Sequence, residues 1–91
     1  MDGKRTRFVN ITTATTTTVK SVAGVLCRIV VNKPITLGTV TIYDNTAGSG
    51  TKIGTITHSG AVPYVLDYEA RFSTGLTIVT SGADDITVMY E

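Results

Sequence analysis

His58 is the only histidine in the 91-residue chain; Ser59 follows it directly and Asp67 stands a little further on, so the residue types of a hydrolytic triad occur together. A triad needs the imidazole within hydrogen-bond reach of the nucleophile and a carboxylate behind the imidazole. Neighbours in one turn cannot present a serine and a histidine that way unaided, and no nucleophile-elbow glycine pattern surrounds Ser59. The pattern predicts a protein that is not an enzyme. One histidine and one cysteine, Cys27, are too few ligands for a transition-metal site. Asp84 and Asp85 follow Ser81, Gly82 and Ala83 and read as turn residues. The segment from Asp44 to Thr51 offers calcium-compatible oxygens but not the EF-hand order of ligands, so it reads as a flexible loop projecting from the body. No metal site, cofactor or catalytic residue is expected.

Residues suited to contacting a partner are few. Lys4, Arg5 and Arg7 lie in a segment, Met1 to Arg7, that has a glycine and no apolar anchor, which reads as a flexible basic arm able to order on an acidic surface. Tyr43, beside the 44–51 loop, is the best aromatic for stacking on a sugar ring.

Eight basic residues against seven acidic ones leave a formal charge of +1, which gives no general field for nucleic acid or an anionic membrane. No apolar run approaches the about 18 residues of a membrane span. Only 16% of the residues are charged while 42% are hydrophobic, against about 25% charged in an ordinary soluble domain. A chain of this size hides only about 60–65% of the surface it exposes when unfolded. Part of the outside is therefore expected to be covered by other copies or by a larger assembly.

Threonine fills roughly a fifth of the chain and, with valine and isoleucine, favours strand throughout. The densest β-branched run, Val25 to Asn32, places Val25, Cys27, Ile29 and Val31 on one apolar face and is expected at the centre of a sheet, with Cys27 as a small buried hydrophobe. The threonine tract from Thr12 to Thr18 suits an edge strand. Further strands are expected at 8–12, 38–43, 52–57, 62–68, 76–80 and 86–90. Phe72 is expected to plug the core from one end. The whole is a single all-β domain over residues 8–91 behind the arm at 1–7: an antiparallel β-sandwich of seven or eight short strands, Greek-key or jelly-roll-like.

Taken together, the runs Gly24 to Asn32, Gly38 to Thr46, Phe72 to Val79 and Ile86 to Glu91 resemble the short all-β structural proteins found in the virions of tailed bacteriophages. The resemblance implies a non-enzymatic capsid decoration, or cement, protein that oligomerises, a trimer being favoured, and clamps the major capsid protein or another virion protein. It implies a place in the virion, after assembly in the host bacterial cytoplasm. The alternative is a carbohydrate- or receptor-binding sandwich module of a fibre or tail.

Overall fold

The computed structural model describes residues 6–35, 37–58, 60 and 62–91. Lys4, Arg5 and Ser59 lie outside the described residues. The described chain is all-β: β1 (Arg7–Ile11), β2 (Thr16–Lys20), β3 (Gly24–Lys33), β4 (Thr39–Asp44), β5 (Thr51–Thr57), β6 (Tyr64–Phe72), β7 (Leu76–Thr80) and β8 (Asp85–Tyr90). Proline punctuates two of these. β3 stops at Lys33 before Pro34, and β6 starts at Tyr64 after Pro63, because proline has no N–H to give to a ladder. No helix among the described residues is long and apolar enough to cross a membrane.

The strands form two antiparallel sheets, β1-β8-β3-β6 and β2-β7-β4-β5. The pairs β4–β5, β3–β6, β2–β7 and β1–β8 nest inside one another. The chain is thus one long antiparallel ribbon rolled into two facing layers, which is the eight-stranded jelly roll with its two Greek keys. The threonine-rich β2 is an edge strand, and β3 lies between β8 and β6, where its β-branched density places it.

Alternation along β3 is broken at Cys27. Against β8, Leu26 pairs with Tyr90 and Arg28 with Met89, so Cys27 is an extra residue on β3. Against β6, Leu26 pairs with Ala70 and Arg28 with Asp67, which puts the extra residue on β6. There Glu69 adopts φ 49, the left-handed conformation that bulges often require. The bulge switches faces. Leu26, not Val25, joins Ile29 and Val31 in the core, so the single apolar face expected from the sequence holds only from Ile29 onward. Cys27 is fully buried outside that core cluster, with its Sγ 3.9 Å from Glu91 Oε2.

The core is made where the inward residues of the two sheets meet: Ile11, Leu26, Ile29, Val31, Ile86 and Val88 from one, Val40, Ile42, Ile56, Leu76 and Ile78 from the other. Phe72, 1% exposed at the end of β6, closes it. At the same end Val25 and Glu91 exchange two backbone hydrogen bonds, at 2.9 and 2.8 Å. A Cβ on Gly24 would collide with the Glu91 carbonyl oxygen, so only glycine admits that approach.

Candidate functional site

His58 follows β5 at the end of the sandwich that also carries the 34–38 and 81–84 connections. Both its side chain and that of Asp84 are completely buried, with Nε2 3.1 Å from Asp84 Oδ2. Nδ1 lies 2.5 Å from the Tyr64 hydroxyl, and Asp84 Oδ1 accepts the Ile35 backbone N–H at 2.8 Å. In the neutral ring every group is satisfied when Nε2–H donates to Asp84 and Nδ1 accepts from Tyr64. His58 also bonds through its backbone, accepting from Leu37 N–H at 3.0 Å and donating to Gly38 O at 2.9 Å. Through side chain and backbone together, one residue ties Asp84, Tyr64 and the Leu37–Gly38 backbone to the end of β5.

Carboxylate, imidazole and hydroxyl in line have the order of a catalytic triad, with a phenol where a serine would stand. Burial, and then the Asp84 charge, push the Tyr64 phenol up from its usual 10.0. The array forms a clasp that satisfies the polar groups buried at this end. Asp67 takes no part in it: its carboxylate lies 3.3 Å from Arg28 Nε on the outside of the β1-β8-β3-β6 sheet. Asp84, expected as an ordinary turn residue, is the buried hinge of the clasp.

The opposite end is held by another carboxylate. Asp44 accepts the backbone N–H groups of Ser73 at 3.0 Å, Thr74 at 2.9 Å and Gly75 at 3.4 Å. The Ser73 and Thr74 bonds, joined by that from Gly75, hold its carboxyl below the usual carboxylate range. Its oxygens are already occupied by these donors. The loop after it folds back instead of projecting: Thr77 Oγ1 donates to Asn45 O at 2.8 Å and Thr18 Oγ1 to Thr46 O at 3.2 Å. A Cβ on Gly48 would meet the Val79 and Thr16 methyl groups, so the loop lies against the outer face of the β2–β7 pair. Among the described residues no cluster of three metal-ligating side chains occurs.

Of the partner-contact residues expected from the sequence, the two that are described, Arg7 and Tyr43, lie on different sheets. Arg7 opens β1 opposite Tyr90, in a strand instead of an arm. Tyr43 is half-buried on the other sheet, between Thr77 and Lys52. Asp85 Oδ1 accepts hydrogen bonds from Asn10 at 2.7 Å and Asn32 at 3.2 Å, tying β1 and β3 to β8.

Two surface features were not visible in the sequence. The first is an apolar stripe across the outside of the β1-β8-β3-β6 sheet. Phe8 pairs with Met89, Val30 pairs with Val65, and Met89 and Val30 are diagonal neighbours on the central pair. Phe8 is 71% and Val65 56% exposed. The second is a cleft of about 410 Å³ on the flank where edge strands β5 and β6 face each other, lined by Thr55, Ile56, Thr57, Tyr64, Leu66 and Tyr68. No protein-family model matches the chain, and no curated protein matches it in sequence.

Proposed function

We propose that this jelly roll is a non-enzymatic structural module whose outer β1-β8-β3-β6 face is packed against other subunits, in the manner of a capsid decoration protein. The observation that carries this is the stripe Phe8–Met89–Val30–Val65, an apolar band crossing all four strands of a sheet face on which no strand packs among the described residues. The one ion pair on it among the described residues, Arg28 with Asp67, is open to solvent and is worth about 0–1 kcal/mol, so it neither anchors nor guards the face. Burying such a band returns roughly 25 cal/mol per Å² of apolar surface.

Charge and fold point the same way. Charged residues are scarce at 16%, and the jelly roll is an architecture shared by viral capsid domains and lectins, an analogy of fold that supports structural work without specifying it. The phage-virion resemblance makes the partner a head shell and the self-association a trimer. Co-sedimentation with phage capsids lacking their decoration protein tests this reading. Binding that is lost in a Phe8→Ser, Val65→Ser double variant supports it; no binding by the unaltered protein overturns the decoration role.

A further inference from the structure

The cleft between β5 and β6 differs in chemistry from two clefts at the Phe72 end. Those two are lined in part by Arg71, one of them also by Glu69 and Glu91. The β5–β6 cleft has no charged side chain in its lining, yet it has four hydroxyl groups, those of Tyr64, Tyr68, Thr55 and Thr57, set among the apolar surfaces of Leu66, Ile56 and the two phenol rings. Its volume lies within the ~300–1,000 Å³ of small-molecule sites.

Both rings are held in advance. The Tyr64 hydroxyl is fixed by His58, which is fixed by Asp84, and the imidazole packs edge-on to the phenol with ring centres 5.8 Å apart. Tyr68 reaches across to the facing sheet, where a Cβ on Gly54 would lie 2.8 Å from its hydroxyl. A ring that is already ordered loses little rotamer freedom when a ligand stacks on it. Tyr64 and Tyr68, four residues apart on one strand face, are separated by ~13 Å along β6, with Leu66 between them.

We propose that this cleft binds a neutral linear oligosaccharide, whose sugar rings stack on Tyr64 and Tyr68 while its hydroxyls bond the phenols and Thr55 and Thr57. A neutral ligand matches the uncharged lining, alternating C–H faces and hydroxyls match its mixed surface, and the tyrosine separation calls for an extended chain of sugars. A strand-like peptide is the competing occupant. It is disfavoured because Asp67, Glu69 and Arg71 and the Glu69 bulge interrupt the β6 edge, the devices that keep edge strands from pairing. This site is independent of the outer-face stripe, so either can fail without the other.

The test is an amide NMR titration of the full chain with D-glucose, D-galactose, N-acetyl-D-glucosamine and linear tetrasaccharides of each. The expected result is saturable shifts confined to residues 54–57 and 64–68, with at least one tetrasaccharide binding about tenfold tighter than its monosaccharide. Tyr68→Ala removes that advantage. Thr57→Arg, at an exposed rim position where folding is not at stake, blocks the cleft and abolishes the shifts. No saturable shift with any of the sugars, or shifts elsewhere on the surface, overturns the proposal. So does a result in which only a short valine- and threonine-rich peptide perturbs these amides.

Discussion

The Nε2 of His58 stands 3.1 Å from the Asp84 carboxylate with both side chains wholly buried, and this contact joins the connections at one end of the sandwich. Removing the carboxylate leaves the Ile35 N–H and the imidazole without acceptors in a dry site. Asp84→Ala should cost about 2–5 kcal/mol, for two buried donors left unsatisfied, a large part of the ~5–15 kcal/mol that holds a domain of this kind. Asp84→Asn keeps an acceptor for Ile35 and lets the ring take its other tautomer, so it should cost only about 1–2 kcal/mol. Urea denaturation of the two variants checks the difference. Equal losses would mean that the hydrogen bonds are not what the clasp supplies.

The pH dependence follows from the two ends of the molecule. Asp44 is held below its usual 3.8 by backbone N–H donors, so the unfolded chain binds the proton more readily. The stability it contributes is present above that value and is lost as pH falls through the folded pKa. Tyr64 and Tyr68 are both raised above 10.0, by burial first in each case. Their contribution is present below pH 10 and is lost as pH rises through the folded values. Thermal unfolding from pH 2 to 11 should show both limbs. Asp44→Asn should flatten the acid limb, and Tyr68→Phe should lessen the alkaline one.

Glu69 occupies the left-handed region at φ 49 in the β6 bulge and is exposed. A residue with a Cβ is strained there by about 1–2 kcal/mol, and glycine relieves that strain at some entropic cost in the unfolded chain. Glu69→Gly should therefore stabilise the fold by about 0.5–1 kcal/mol and raise the melting temperature by about 2–8 °C. A lower melting temperature would show that the Glu69 side chain contributes more than its conformation costs.

Much of the fold could be read from local pattern. The β-branched run of β3, the edge character of the threonine tract and the burial of Phe72 each rest on chemistry within a few residues, and the structure has all of them. What escaped was non-local. The Cys27 bulge arises from pairing with β8 and β6, which come later in the chain, and one extra residue reverses the faces of a strand. His58 finds Asp84 across a separation of 26 residues, so the nearby Asp67 was the wrong place to look for its carboxylate partner. The 44–51 segment has turn composition, but only the donors at Ser73 to Gly75 and the side chains of Thr18 and Thr77 fold it inward.

The proposal that the chain works by packing into an assembly is tested most directly by its mass in solution. Light scattering on the purified protein across a hundredfold range of concentration should give three times the 9.6 kDa chain mass, falling to a single chain, still folded, in the Phe8→Ser, Val65→Ser variant. A folded monomer at every concentration, with the variant indistinguishable from the unaltered protein, would contradict it.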